Sequence, residues 1–169
     1  MSALLALGSW YSVRDGDPRL VALYSRHYSA RVGVTRATWR QWGMSGPGES
    51  MCLLTADGLA GFIWQISKIR RDEQSGVNCS FFRNESKALA SDLVREACDL
   101  AWARWPGERL WTYVDPGRVA HQGRKRPAGY CFIAAGWTPC GTSKGGLSIL
   151  ELPAHPGAGP QVLEVPDAR

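Results

Sequence analysis

Hydrophobic residues along the chain change their spacing several times, and each change predicts a different element. Strand-favouring residues predict a short strand over Trp10–Val13, and residues 15–18 combine turn formers with a proline that suits the first turn of a helix. The apolar positions that follow predict a helix ending near His27. Residues 28–50 show no sustained period, so we predict a long loop, which inside a compact domain usually has a function or is mobile.

The middle of the chain predicts a hairpin, a strand and a long helix. Apolar residues over 51–55 and 61–66 flank an Asp-Gly pair at 57–58, which is a strong short-range signal for a β-hairpin. Residues 77–82 predict a third strand. Apolar residues spaced three and four apart then predict an amphipathic helix of about five turns, which a Pro-Gly pair at 106–107 ends.

The last part of the chain predicts a strand over Leu110–Val114, a short helix over 129–135, and two strands over 137–142 and 147–152. Residues after Pro153 lack any period, so we predict a disordered or surface-draped tail over 154–169. A chain of 169 residues is close to the usual size of one domain. We therefore predict a single α/β (α+β) domain over residues 1–153.

Composition excludes several classes of protein. The chain is 44% hydrophobic and mixes helix, strand and turn signals, which excludes a disordered or repeat protein. The apolar residues 1–7 lack a positive leading segment and a cleavage site, so no signal peptide is predicted, and no stretch is long enough to span a membrane. The five scattered cysteines predict reduced, buried, structural thiols in a cytoplasmic protein.

The net charge of +5 is a mild basic bias that is compatible with a polyanionic partner. The basic residues gather in three segments, which hold Arg31, Arg36 and Arg40, then Lys68, Arg70 and Arg71, and finally Arg118, Arg124, Lys125 and Arg126. If these segments share one face, they form a groove for a phosphate backbone. The nucleic-acid contacts predicted from them are Arg36, Arg40, Arg124, Lys125 and Arg126.

The turn over residues 83–88, after the predicted strand 77–82, resembles a phosphate-binding element in its composition. Residues 83–88 read Arg-Asn-Glu-Ser-Lys-Ala and lead into the long helix, whose N-terminal N–H groups and positive dipole end suit a pyrophosphate. The small Ser86 and Ala88 leave room for it. The alternative is an ordinary turn in which Asn84 or Ser86 caps the helix and Glu85 lies in its first turn.

Arg83, Ser86 and Ala88 resemble the cofactor turn of the GNAT superfamily of acyl-CoA-dependent N-acyltransferases, which reads Arg or Gln, two residues, Gly, one residue, then Gly or Ala. Ser86 departs from the family's Gly and takes up room at the backbone. Residues 130–137 resemble the family's aromatic helix, and the order of elements over 10–152 is similar. The resemblance implies a GNAT-like, mixed and mostly antiparallel central sheet flanked by helices. It also implies an acetyl-CoA or other acyl-CoA cofactor, with candidate contacts Arg83, Asn84, Ser86, Ala88 and Ser91.

Candidate catalytic groups fall in three places. His27 and Tyr28 follow the first helix, and histidine is both a proton carrier and a metal ligand, although helix capping by His27 and packing of Tyr28 also explain them. Asp115 ends a strand, where ligand crevices form in open α/β sheets, but it is also a common turn former. Tyr130 lies where many GNAT enzymes carry a tyrosine that protonates the departing CoA thiolate, with a core aromatic as the alternative.

The His-Tyr pair, residues 82–85 and residues 129–137 together resemble the Mom-type phage DNA-modification proteins, which are GNAT-related and convert adenine in phage DNA to a carbamoylmethyl derivative. The resemblance implies an acyl-CoA-dependent transferase that modifies adenine N6 in double-stranded DNA in a bacterial host cell, after the base is flipped or the strand opened. It also implies iron, for which His27, Tyr28 and Asp115 are the candidate ligands.

Two further functions fit the same residues. The first is a GNAT N-acetyltransferase that acts on a small amine, such as an amino sugar or a polyamine, or on a protein amine. The second is a non-catalytic DNA-binding protein that has lost cofactor binding, because Ser86 replaces the glycine of the GNAT cofactor turn. Release of CoA with a small amine, and binding of acetyl-CoA, separate these functions from each other.

Overall fold

The computed structural model describes residues 6–30, 43–119 and 126–154. Its elements are β1 (Ala6–Leu7), β2 (Trp10–Val13), α1 (Pro18–Ser25), β3 (Gly48–Thr55), β4 (Ala60–Ser67), β5 (Val77–Asn84), α2 (Ala90–Arg104), β6 (Leu110–Val114), α3 (Pro116–Val119), α4 (Tyr130–Ala134), β7 (Thr138–Thr142) and β8 (Ser148–Leu152). The strands form one eight-stranded sheet in the order β1-β2-β3-β4-β5-β6-β8-β7. Among the strands of these described residues, only β5 and β6 run parallel. The predicted α+β fold with a mixed, mostly antiparallel sheet is confirmed.

The structure changes the ends of several predicted elements and adds two. β3 begins at Gly48, so the irregular segment after α1 is shorter than predicted, and residues 31–42 of it lie outside the described residues. The additional elements are the two-residue β1 and the single turn of α3. Of the predicted tail, residues 155–169 lie outside the described residues.

The larger hydrophobic core lies between the sheet and the helices α2 and α4. Side chains alternate between the two faces of a strand, so Phe62 and Trp64 of β4 both point to this side. The indole N–H of Trp64 donates to the Ala97 carbonyl at 2.9 Å, and that of Trp10 donates to the Leu93 carbonyl at 3.0 Å. Two buried tryptophans therefore hold α2 on the sheet by packing and by hydrogen bonds.

The smaller core lies on the other face, under α1. Leu20 and Leu23 of α1 are buried against a patch that includes Ile63 and Phe81. Gly61 of β4 allows this close approach, because a Cβ atom there would lie 2.5 Å from Leu20 Cδ1. The missing side chain of Gly61 thus sets the distance between α1 and the sheet. The sheet is covered by helices on both faces.

The cysteines and helices test two predictions made from composition. All five cysteines are unpaired, and Cys52, Cys79 and Cys98 are buried as predicted. Cys131 is half-buried, and Cys140 is exposed because it lies on the edge strand β7, so the prediction of burial was wrong for Cys140. Within residues 6–30, 43–119 and 126–154, no helix has the length and apolar character needed to cross a bilayer.

Replacing Gly61 with alanine is expected to destabilise the protein by about 1–3 kcal/mol, because the new Cβ would overlap Leu20 and push α1 away from β4. Gly141→Ala is the matched control: this strand glycine would place its Cβ 3.9 Å from Ile149 Cδ1, an ordinary contact. Urea-induced unfolding measures both variants. Equal loss of stability in the two would show that Gly61 does not set the position of α1.

Candidate functional site

A cleft opens where the two parallel strands separate. β5 and β6 pair only over Val77–Cys79 and Leu110–Thr112, and both strands then continue without pairing to each other. Ser80 is an extra residue on the opposite edge of β5, where the register with β4 shifts between Ile63 and Trp64. Such a β-bulge bends its strand and increases the local twist, which accounts for the separation of β5 from β6.

The cleft has a volume of about 1710 Å³. A pocket for one small molecule occupies about 300–1,000 Å³, so this cleft has room for two ligands side by side. Its walls come from both faces of the sheet, with Phe81 from the core under α1 and Phe132 from the core under α2. The cleft therefore passes through the gap between β5 and β6, with an α1 side and an α2 side.

On the α2 side, the turn that precedes α2 is closed by its own hydrogen bonds. Asn84 Oδ1 accepts hydrogen bonds from the backbone N–H of Ser86 at 2.9 Å and from its hydroxyl group at 2.6 Å. The Ser86 hydroxyl oxygen in turn accepts from the N–H of Ala88 at 3.1 Å. Neither Asn84 nor Ser86 caps α2, because its N-cap is Leu89, which has no side-chain hydrogen bond. Ser86 therefore occupies a backbone donor that a glycine would leave open.

Open backbone donors begin one residue after this turn. The N–H groups of Leu89, Ala90 and Ser91 have no hydrogen-bond partner among the described residues, as is usual in the first turn of a helix. All three residues line the cleft, together with Lys87 and Ala88. The open N–H groups, the positive end of the helix dipole and the Lys87 ammonium group together suit an anion.

Arg83 and Ser86 lie outside the cleft. The other candidate cofactor contacts line it, namely Asn84, Ala88 and Ser91. Arg83 Nε donates to Glu85 at 2.5 Å, and Nη1 donates to the Arg26 carbonyl at 2.7 Å. Arg26 donates to both oxygens of Glu85, at 2.9 and 2.8 Å. These arginines, Arg26 first, lower the pKa of Glu85 to about 2. Arg83 therefore ties β5 to the end of α1.

His27 lies on the α1 side as a neutral imidazole. Its Nδ1 accepts a hydrogen bond from the Ser29 N–H at 3.2 Å and lies 2.7 Å from the Ser29 hydroxyl oxygen, which assigns the ring proton to Nε2. Burial, followed by the nearby charge of Arg83, lowers the pKa of His27 to about 4, against a smaller opposing effect of the Phe82 backbone. His27 carries no charge at neutral pH and does not cap α1 as a cation.

Tyr28 and Asp115 also line the cleft, and Arg118 links them. Asp115 Oδ1 accepts from the N–H groups of Gly117 at 3.0 Å and Arg118 at 3.3 Å, which caps α3. Arg118 Nε lies 3.5 Å from Asp115 Oδ2, and an Arg118 Nη1 group donates to the Tyr28 carbonyl. Burial raises the pKa of Tyr28. The ring centroids of His27 and Tyr28 lie 4.3 Å apart, and Arg118, which contacts both Asp115 and the Tyr28 carbonyl, joins the two segments into one wall.

Tyr130 is the first residue of α4 and lines the cleft. Gly129 before it has φ = 73°, and a Cβ there would lie 2.4 Å from Leu150 Cδ1, so α4 can begin this close to β8 only at a glycine. Tyr130 is 42% exposed and lies under the Arg126 guanidinium, 4.6 Å from the ring centroid. It is not a core aromatic; Phe132, two residues further along α4, has that role.

Positive charge predominates in the lining of the cleft. Of the predicted nucleic-acid contacts, Arg126 lines the cleft, whereas Arg36, Arg40, Arg124 and Lys125 lie outside the described residues. The charged residues that line the cleft are Arg70, Arg71, Lys87, Arg118 and Arg126, against Asp72 and Asp115. Two of the three basic segments thus meet at this cleft. The excess of cations suits a phosphate-bearing ligand.

The candidate iron ligands His27, Tyr28 and Asp115 all line the cleft, and an iron site formed by them stays a prediction. In the part of the chain that the structure describes, no group of three or more His, Cys, Asp or Glu side chains is placed to hold a metal ion. His27 uses Nδ1 to accept from Ser29, and Asp115 uses Oδ1 to cap α3. A ligand at this wall meets side chains that are already committed to hydrogen bonds within the protein.

Neither a protein-family model nor a curated protein matches this chain. Function is therefore inferred from the cleft itself, which joins the helix N-terminus on the α2 side to a wall of half-buried polar side chains on the α1 side. The sequence prediction missed two contributors to these walls, Lys87 and Asn78. The signal for Asn78 was available, since asparagine is depleted in strands and stands here between two apolar strand residues.

The Glu85 network predicts a pH dependence of stability. Because the pKa of Glu85 is about 2 in the folded protein and 4.5 ordinarily, its ionised form stabilises the fold above about pH 4.5, and this stabilisation is lost as the pH falls through about 2. Glu85→Gln should therefore melt at a lower temperature than the wild type near neutral pH, with a difference that shrinks in acid.

Glu108→Gln is the control for this experiment, because Glu108 is exposed and its carboxylate makes no ion pair among the described residues. Its melting temperature should follow that of the wild type at every pH. A Glu85→Gln difference that stays constant from neutral pH into acid would contradict the role assigned to the two arginines.

Proposed function

We propose that the protein is an acyl-CoA-dependent transferase that modifies the N6 amine of adenine in DNA, acting in the cytoplasm of a bacterial host cell. The observation that carries the proposal is the cleft between β5 and β6, which is continuous from a helix N-terminus suited to an anion to the half-buried side chains of His27, Tyr28 and Asp115. The resemblance of residues 82–85 and 129–137 to the Mom-type DNA-modification proteins supplies the substrate and the donor class.

The α2 side of the cleft would hold the acyl-CoA, which supplies an activated acyl group when bound. The N–H groups of Leu89, Ala90 and Ser91, with the Lys87 ammonium group, suit its pyrophosphate. β5 has no partner strand toward β6 after Cys79, so its backbone can pair with an extended ligand there. The open N–H groups of α2 and the unpaired edge of β5 are properties of the backbone, and they do not depend on the turn that Ser86 closes.

Two side chains are placed to move protons in the transfer. Attack of an amine on a thioester forms a C–N bond and breaks a C–S bond, so the amine loses a proton and the thiolate gains one. Tyr130 lines the cleft and is 42% exposed, and its hydroxyl group is the candidate donor to the thiolate. Neutral His27, 2.7 Å from the Ser29 hydroxyl oxygen, is the candidate acceptor, with Ser29 as a relay.

The basic and the exposed apolar residues that line the cleft suit a nucleic acid. Adenine N6 takes part in base pairing, so the base must leave the stack to react. Arg70, Arg71 and Arg126 place positive charge in the cleft for the phosphate backbone. Ile69 and Leu89 also line it and are 71% and 64% exposed, which suits apolar contact with bases at the opening of a strand.

The second candidate function is acetylation of a small amine. Asp72 lines the α1 side, and its hydrogen bond with Arg70, followed by one from Tyr113, outweighs burial and lowers the pKa of Asp72 to about 2. A carboxylate that stays ionised can attract a cationic amine such as a polyamine. This function predicts release of CoA with a small amine and no effect of DNA.

Mass spectrometry of nucleosides from DNA co-expressed with the protein tests the proposal. The wild type should convert part of the adenine to a heavier nucleoside, and transfer from a thioester predicts the added mass of an acyl group. The mass of a carbamoylmethyl group would instead indicate a reaction that joins N6 to a CH2 carbon. Tyr130→Phe should reduce the conversion rate roughly 10²- to 10⁴-fold, because it removes the proton donor and keeps the ring under Arg126.

The matched control is Tyr11→Phe, because Tyr11 lies on β2 and lines a separate small cavity. It should modify DNA as the wild type does. Unmodified adenine in the presence of folded wild-type protein would exclude the proposed reaction, and equal activity of Tyr130→Phe and the wild type would remove Tyr130 from it.

Calorimetry with acetyl-CoA tests the α2 side alone. Lys87→Ala should weaken binding by roughly threefold to tenfold, because the ammonium group adds to the positive end of α2. Lys144→Ala, in the exposed turn between β7 and β8, should bind as the wild type does. A wild type that binds DNA but no acyl-CoA would support a non-catalytic DNA-binding protein instead.

A further inference from the structure

Asn78 is a buried polar side chain without a partner. It is only 9% exposed, and its Oδ1 atom has no hydrogen-bond partner among the described residues. A buried carbonyl that makes no hydrogen bond destabilises the folded state. Native proteins keep few such groups, and each calls for an explanation.

The side chain of Asn78 faces the α1 side of the cleft. Its neighbours in β5, Val77 and Cys79, belong to the core under α2, so alternation along the strand directs Asn78 to the opposite face. Asn78 lines the cleft there, together with Tyr113 of β6 and Phe81 of β5. The amide thus lies in a recess with aromatic side chains on both strands.

A partner within the protein is available by position and is not used. Asn78 lies beside Trp111 in the register of the parallel strands, and the indole N–H of Trp111 is also buried without a partner. Trp111 is instead covered by the Arg70 guanidinium, 4.5 Å from the ring centroid, and does not line the cleft. Asn78 therefore lines the cleft with no internal partner for its Oδ1 atom, although an internal donor lies on the adjacent strand.

We infer that Asn78 is the residue that recognises the acceptor substrate, with its carboxamide paired to the amine-bearing edge of an adenine base. Asparagine matches this edge with two hydrogen bonds, because Oδ1 accepts from the N6 amine and Nδ2 donates to a ring nitrogen. Tyr113 and Phe81 supply apolar surface for the ring on the same face. This inference rests on the proposed function, which places an adenine in this cleft.

Binding of short oligonucleotides tests the inference without requiring catalysis. The probes are a labelled single strand with one adenine and the same strand with purine, which lacks the N6 amine, at that position. Fluorescence anisotropy should show that the wild type binds the adenine strand about tenfold more tightly or better. Asn78→Leu should bind both strands equally, because it removes the amide, whereas Thr138→Leu, on the exposed strand β7, should keep the preference.

The melting temperature separates recognition from a structural role. Asn78→Leu should melt at the same temperature as the wild type or higher, because it removes a buried carbonyl that has no partner. A lower melting temperature would show that the amide stabilises the fold and would overturn the inference. Should the leucine variant not fold, Asn78→Ala, which also removes the carboxamide that accepts from the N6 amine, should lose the preference for adenine.

The outcomes also separate this inference from the proposed function. An Asn78→Leu variant that still prefers the adenine strand, or a wild type that binds both strands equally, overturns the role of Asn78. Nucleoside analysis of co-expressed DNA decides the proposed function independently. Modified adenine together with an unchanged preference in Asn78→Leu would keep the reaction and assign recognition to another residue.

Discussion

The arrangement of the site depends on where the pairing between the parallel strands β5 and β6 stops. β5 and β6 share hydrogen bonds up to Cys79 and Thr112, and the bulge at Ser80 then bends β5 away. The gap gives the cleft access to both faces of the sheet, where α1 and α2 lie. α4 begins at Gly129, packed on β8, and places Tyr130 at the same gap. Without the separation, these groups would lie on two closed faces.

Hydrogen-bond satisfaction divides the polar groups of the cleft into two kinds. Asp115 in the cleft, and Arg83 and Ser86 beside it, are committed to partners in the protein and hold α3, α1 and the turn before α2 in place. Asn78 Oδ1 and the first N–H groups of α2 have no partner among the described residues. The second kind destabilises the free protein, and a ligand that pairs with it recovers that free energy. The proposed roles in binding follow this division.

Hydrophobic spacing predicted most of the fold because burial sets the period of each element, as the alternation at Phe62 and Trp64 illustrates. The prediction placed the end of β5 at residue 82, before its observed end at Asn84. Arg83 and Asn84 are polar, and they belong to the strand because they pair with β4. The sequence also predicted the wall of His27 and Asp115, which strand and helix ends bring together. The bulge and the orphaned amide of Asn78 depend on register and tertiary packing, which local patterns do not contain.

Hydrogen–deuterium exchange with and without acetyl-CoA tests most directly whether the gap between β5 and β6 binds the cofactor. The unpaired backbone donors lie in residues 80–91, at the end of β5 and the start of α2. The account predicts that acetyl-CoA slows exchange in this segment and leaves the β7–β8 hairpin, on the far edge of the sheet, unchanged. Binding of acetyl-CoA with no protection in residues 80–91, or with protection only in another part of the chain, would contradict it.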